Sequence, residues 1–331
     1  MEVFAVRLID FAVEQGRRKV VPLMGFPGVQ ITHFSIRQIL FNAKAQAETS
    51  RALAERFKPD ALFQVMDLSV EANALGLMVR YPLHESPTVE EHPVKSASDL
   101  EQFERIDILE DARVMAFLRA MQEMKQTIDI PIGGYIIGPF TLAGRLMGES
   151  EAAMAAIDDP ALLEQVVEFA AERILRYGKA LVSAGADMIA ILEPTGVILS
   201  PTQFRQFSGK YIKKILDGLD TIGILHICGD STHIIQAMCE TGAQGLSLDS
   251  EVDLPKAMEL LPPDVVMIGN LDPVACVVQL SAEQVREATR QLLESMSKYP
   301  NFILSTGCDL PPETPLENIS AVIETCRKYK G

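Results

Sequence analysis

The runs IGILHICGDS, Ile222 to Ser231, and ILSTGCDLPPETP, Ile303 to Pro315, together decide how this chain folds. Ile222, Ile224 and Leu225 read as a buried strand. The strand period of two then puts His226 and Cys228 on one side of the chain where the strand ends. The second run is another apolar strand that stops in glycine and delivers Cys308. An imidazole and two thiols on two strand ends form a zinc set of the thiolate-rich kind. Cys228 and Cys308 lie 80 residues apart, too far for the closely paired ligands of a small structural knuckle, so a large fold must assemble the site. Three protein ligands leave a position for an exchangeable fourth, as a catalytic metal requires. Taken singly, each Cys reads as a core residue and the His as an internal hydrogen-bonding group; it is the trio that points to metal.

Outward from these runs, the chain alternates between short apolar strands and helices. Eight candidate strands begin near residues 20, 61, 130, 187, 222, 245, 265 and 302. They are apolar on both faces, as in a parallel sheet covered by helices. Eight βα units, with no GxGxxG after the first strand, predict an α/β fold of the closed (β/α)8 TIM-barrel type rather than a doubly wound sheet. Helices are expected over Val3–Gln15, Ser35–Phe57, Asp111–Gln126, Pro160–Ala184, Pro201–Leu216, Thr232–Glu240, Leu254–Leu260, Ser281–Lys298 and Leu316–Tyr329. Residues 1–331 read as a single barrel domain. The Pro-broken stretch at about 70–99 reads as an insertion over the rim formed by the strand C-termini. Asp67, Glu193, His226, Cys228, Asp249, Asn270, Asp272 and Cys308 all fall at or just after strand ends, where a barrel keeps its chemistry.

Composition narrows the function classes. The 331 residues carry 30 Lys and Arg against 45 Asp and Glu, a net charge of -15, which gives no electrostatic reason to bind nucleic acid or an anionic membrane. The amino terminus lacks the pattern of a signal peptide, and no apolar run approaches the roughly 18 to 20 residues of a membrane span. A cytoplasmic location is expected. Five cysteines, an odd number without a dense framework, suit ligand or core roles better than disulfides. Cys239, Cys276 and Cys326 sit among apolar residues and read as core.

With those residues in place, the chain resembles the uroporphyrinogen decarboxylase superfamily, and within it the corrinoid-dependent zinc methyltransferase branch. The resemblance runs through QVMDLSVEANALG (Gln64–Gly76), GYIIGPFTLAGRLMG (Gly134–Gly148), GADMIAILEP (Gly185–Pro194), LHICGDS (Leu225–Ser231), GLSLDSEVDL (Gly245–Leu254), IGNLDP (Ile268–Pro273) and STGCDLPPETP (Ser305–Pro315). It implies a barrel, zinc on His226, Cys228 and Cys308, and methyl transfer between a corrinoid (cobalamin) carried by a separate protein and a small donor or acceptor such as a thiol, methylamine or phenyl methyl ether. In the decarboxylase branch, Asp67 and Tyr135 match a catalytic aspartate and an active-site tyrosine. That branch also uses an Arg-rich amino-terminal motif to hold tetrapyrrole carboxylates, whereas Pro22–Gln38 here contains Arg37 alone. Decarboxylation is therefore the weaker alternative, and a non-catalytic corrinoid-docking protein is another. Glu193 is the candidate fourth, exchangeable metal ligand, because an oxygen donor is readily displaced; its alternative role is a hydrogen-bond acceptor toward a helix. Asp249 and Asp67 are expected to orient substrate or fix His226. The 70–99 insertion is expected to contribute to corrinoid-protein docking.

Overall fold

The computed structural model describes residues 7–330. Among the described residues, ten strands lie in chain order: β1 (Lys19–Val20), β2 (Leu62–Phe63), β3 (Val79–Arg80), β4 (Thr88–Val89), β5 (Ile132–Ile137), β6 (Met188–Leu192), β7 (Ile222–Ile227), β8 (Gly245–Leu248), β9 (Val266–Leu271) and β10 (Phe302–Thr306). Eight of them form one sheet in the order β1-β10-β9-β8-β7-β6-β5-β2, every recorded pairing within it parallel. These are the eight expected strands. The order is that of a barrel, since consecutive βα units lie side by side.

The closure between β1 and β2 differs from a full ladder. Asp60 bridges the seam: its N–H donates to the Val20 carbonyl at 3.0 Å, and its carboxylate accepts the Val20 N–H at 2.8 Å. Arg17 donates to the same carboxylate, at 3.0 Å through one of its nitrogens. Each of the two strands spans only two residues, so a side chain does here what a run of backbone pairs does elsewhere.

Alternation along the strands builds two apolar layers. Ala61, Phe63, Tyr135, Met188, Ala190, Leu192, Ile222, Ile224, Ile268 and Ile303 fill the barrel interior. Their neighbours in sequence, among them Ile136, Ile189, Ile191, Leu225, Ile227, Leu246 and Leu304, pack outward beneath the helices. The helix Leu8–Val13 plugs the amino-terminal end by placing Leu8 and Ala12 in the interior layer, and the Leu8 N–H donates to Gln244 Oε1 at 2.9 Å. The expected first helix is thus shorter, and its part from Val3 to Val6 lies outside the described residues.

Other helices keep their positions with local breaks. Pro160–Ala184 matches its expected span, capped by the Asp159 side chain and ended by Gly185 at φ +113°. Ser35–Phe57, expected as one helix, divides into Ile36–Phe41 and Ala43–Phe57 because the Asn42 side chain accepts the Ala45 N–H and caps a new start. The helix expected over Pro201–Leu216 contains a π turn at Arg205–Gly209. Residues 70–99, which follow the C-terminal end of β2, hold the buried helix Val70–Ala74 and the antiparallel β3–β4 hairpin.

Candidate metal centre

β7 carries Ile222 and Ile224 into the barrel interior and turns Leu225 and Ile227 outward, so His226 points inward by the same alternation. The chain then leaves the strand through Gly229, whose φ of +79° suits glycine. Its N–H donates to Asp249 Oδ2 at 3.0 Å, which fixes the turn beside Cys228. Cys308 arrives from β10 across Gly307. A Cβ at Gly307 would lie 2.5 Å from the Ser250 backbone nitrogen, so this close approach of the two rim segments depends on glycine.

The outcome is a compact donor set. The ligand atoms of His226, Cys228 and Cys308 lie within 4.8 Å of one another. His226 Nε2 is 3.2 Å from Cys228 Sγ, and the two sulfurs are 3.4 Å apart. Tetrahedral zinc with ordinary bond lengths would hold such atoms roughly 3.5 to 3.8 Å apart, so side-chain shifts of a few tenths of an ångström would accommodate the ion. The chemistry also fits, because two sulfurs and an imidazole nitrogen are soft donors. The other ring nitrogen, Nδ1, lies 2.9 Å from Ser247 Oγ on the adjoining strand. Cys308 is held well below the usual thiol range, first by the hydrogen bond with Cys228 and, against burial, by His226. Cys228 is pushed up by the same bond and by burial.

The surroundings give the other candidate residues the following partners. Glu193 is absent from the donor set among the described residues. Its fully buried carboxylate accepts the Phe140 N–H at 3.0 Å, the Thr141 N–H at 2.6 Å, and the hydroxyls of Thr141 and Ser208 at 2.5 and 2.8 Å. It sits at the amino terminus of the helix Pro139–Met147, where donors and the helix dipole favour an anion. Burial pushes its pKa up against those bonds. The alternative role read for it, an acceptor toward a helix, is the one its geometry fits.

Asp67 does not reach His226. Its carboxylate pairs with the buried Arg113 guanidinium and accepts the Ser69 N–H at 2.8 Å and hydroxyl at 2.7 Å. Met66 and Leu68 pack against the barrel interior instead. Asp249 supports the Cys228 turn and not the imidazole, and it further accepts the Ser250 hydroxyl at 3.1 Å. Tyr135 does face inward, stacked on Phe63 at 5.1 Å between ring centroids. Burial pushes its hydroxyl well up, with Asp309 and Cys308 adding to the effect. Asn270 donates to the carbonyls of Asp249 and Val252, each at 2.8 Å, and Asp272 caps the turn that begins at Pro273.

Ser247, Arg113, Glu71 and Asp309 were not singled out in the sequence. Ser247 had a signal: it stands at an inward position of GLSLD, two residues before Asp249. Asp309 follows Cys308 directly, and its Oδ2 is buried without a hydrogen-bond partner. Arg113 lies on a helix, in line with the buried Ala116, Phe117, Ala120 and Met121, and that spacing is the signal that could have found it.

An α/β barrel with an imidazole and two thiols converging at the C-terminal ends of its strands is a barrel that carries a candidate soft-metal site. The chain belongs to the uroporphyrinogen decarboxylase (URO-D) family, whose model matches residues 21–329. It is 32% identical to the methylcobamide:CoM methyltransferase MtbA of Methanosarcina acetivorans, over 87% of this chain and 86% of that protein. It is 27% identical to the uroporphyrinogen decarboxylase of Hydrogenovibrio crunogenus, over 89% of this chain and 87% of that one. Among solved structures, a methyltransferase from Methanosarcina mazei superposes with a TM-score of 0.89 at 25% identity, covering 97% of this chain and 98% of the other.

Proposed function

We propose that the protein moves a methyl group between a corrinoid and a small thiol, with zinc held by His226, Cys228 and Cys308. The observation that carries this reading is the convergence of one imidazole nitrogen and two sulfurs within 4.8 Å at the barrel rim. Similarity to methylcobamide:CoM methyltransferases across most of both chains supports it. Held by His226, Cys228 and Cys308, zinc would lower the pKa of a thiol, whose proton would pass to solvent, and keep the resulting thiolate nucleophilic near neutral pH. In transfer to the thiol, its sulfur supplies the electron pair of the new S–C bond, and the pair of the broken Co–C bond stays with cobalt.

The protein's own groups prepare that exchange. β7 and β10 bring the donors together, and Asp249 holds the turn after Cys228. Phe63, Tyr135, Leu192 and Ile268 form an apolar wall in the interior that excludes water from the inner side of His226. The corrinoid arrives on a separate protein at the rim, where the 70–99 segment exposes Met78 and Leu83. A reducing cytoplasm, where its thiols would stay reduced, is the location that accords with this reading; no helix among the described residues is long and apolar enough to cross a membrane.

Decarboxylation is disfavoured because the Asp67 carboxylate is engaged by Arg113 and Ser69. The test is methyl transfer from methylcobalamin to a panel of thiols, followed in the cobalt spectrum beside metal analysis. The parent should hold about one zinc per chain. Cys228→Ala should slow transfer by roughly 100-fold or more, and Cys308→Ser should lose most of its metal. Unchanged zinc in both Cys228→Ser and Cys308→Ser, or spectra that stay flat for every thiol, would overturn the assignment.

A further inference from the structure

The imidazole of His226 offers two nitrogens, and only one geometry serves the site. Nε2 faces Cys228 Sγ at 3.2 Å, whereas Nδ1 faces Ser247 Oγ at 2.9 Å. Ser247 stands directly beside His226 in the parallel pairing of β7 with β8. Both residues are almost wholly buried, at 2% and 3% exposure, so water does not compete for the contact. The residues paired with them on the flanking strands, Leu192 and Ile268, are apolar. His226 is the recorded side-chain hydrogen-bond partner of the Ser247 hydroxyl among the described residues.

From this geometry we infer that Ser247 is a positioning residue for the metal centre: it holds Nε2 of His226 toward the metal as the ligand atom by accepting a hydrogen bond from the Nδ1–H. The inference rests on the metal reading of His226, Cys228 and Cys308. A neutral imidazole has one N–H and one lone pair, and whichever nitrogen carries the proton leaves the other free to bind metal. With Ser247 accepting from Nδ1, the Nε2 lone pair faces the sulfurs. Without the hydroxyl, the Nδ1–H would be a buried donor among apolar groups, an arrangement that costs free energy and favours the other tautomer.

A hydroxyl also differs from the carboxylate that often supports a metal-bound histidine. A carboxylate only accepts, which commits Nδ1 to its proton and makes the imidazole a stronger donor. A hydroxyl both donates and accepts. Ser247 can therefore donate to Nδ1 when Nε2 carries its proton toward the sulfurs, and accept from Nδ1 when Nε2 binds metal. The imidazole can change tautomer as the metal loads without leaving Nδ1 unpaired, and the hydroxyl adds no negative charge beside two thiolates.

The experiment compares zinc affinity, by competition with a chromophoric chelator, in the parent, Ser247→Ala and Ser247→Thr, alongside nitrogen-15 NMR of the imidazole in the zinc-loaded parent. Ser247→Ala should bind zinc about 10- to 100-fold more weakly, and Ser247→Thr, which keeps the hydroxyl, should regain most of that loss. The loaded parent should show a protonated Nδ1 and a metal-shifted Nε2. The NMR readout needs no variant, so it stands even if a substitution fails to fold. Coordination through Nδ1, or alanine and parent affinities within threefold of each other, would overturn the role of Ser247 while leaving the metal centre intact. A parent that binds no zinc would overturn the metal reading and this role together.

Discussion

Glu193 and His226 are joined through their backbones, the Glu193 N–H donating to the His226 carbonyl at 2.9 Å, yet their side chains serve different parts of the molecule. Alternation explains the divergence: Met188, Ala190 and Leu192 point into the barrel, so the next residue turns toward the helices. The parity that correctly joined His226 to Cys228 was present in MIAILE as well, and applied there it separates Glu193 from the metal donors. Glu193→Gln should therefore leave zinc content unchanged, because the carboxylate is not among the donors. It should lower stability by about 2 to 4 kcal/mol, since an amide NH2 would face groups that need an acceptor. Metal analysis and urea unfolding separate the outcomes, and a loss of zinc without a loss of stability would restore Glu193 as a ligand. Ser247 was equally open to the parity argument, but a serine in a strand carries little chemical signal until its neighbour is known.

At the scale of elements, the segment after β2 is anchored by buried charge. Arg113, on the helix Ala112–Thr127, pairs with Asp67 and donates to the Ser69 hydroxyl at 3.1 Å and the Tyr81 hydroxyl at 2.6 Å. Helical spacing puts Arg113 on the buried stripe of Ala116, Phe117, Ala120 and Met121, but its partner does not show in the sequence, because the pairing spans 46 residues and appears only on folding. Removing one partner leaves the other charge buried, so Arg113→Met should cost about 3 to 5 kcal/mol, and adding Asp67→Asn should recover part of it. A double-mutant cycle in urea measures this, and strictly additive costs would contradict a direct pair. Nearby, Glu71 accepts the Ile137 N–H at 2.9 Å and ties the helix Val70–Ala74 to the end of β5. Burial, opposed mainly by that bond, pushes its pKa up to about 7 from an ordinary value of 4.5. The folded state thus binds this proton more tightly than the unfolded chain. Its contribution is fully present below about pH 4.5 and is lost as pH rises through about 7. Glu71→Gln keeps an acceptor without the charge, so it should match the parent near about pH 4 and exceed it by up to about 3 kcal/mol near about pH 8. Urea midpoints across that range test the sign; a parent that grows relatively more stable as pH rises would refute it.

For the molecule as a whole, the barrel was legible because its signals repeat. Eight apolar strands alternate with helices, and the chain connects neighbours in order, so small errors in any one helix leave the architecture unchanged. What stayed hidden depends on single long-range meetings, such as the Asp60 bridge between β1 and β2 and the plug formed by Leu8 and Ala12. This division bears on how the metal centre relates to folding. The donor residues come from β7 and β10, which are paired on both sides by other strands, and their ligand atoms lie within 4.8 Å of one another. A site assembled by a completed sheet does not need metal to form, in contrast to a zinc finger, whose metal supplies the folding free energy. Stripping the metal with a chelator under reducing conditions should therefore abolish methyl transfer while leaving the far-ultraviolet circular dichroism unchanged. The melting temperature should fall only by the amount that ligand binding to the native state contributes, and it should rise again with added zinc in proportion to the logarithm of its concentration. A collapse of the helical signal on chelation would mean that the two thiols and the imidazole hold the barrel together, and that β7 and β10 depend on the ion for their places in the sheet.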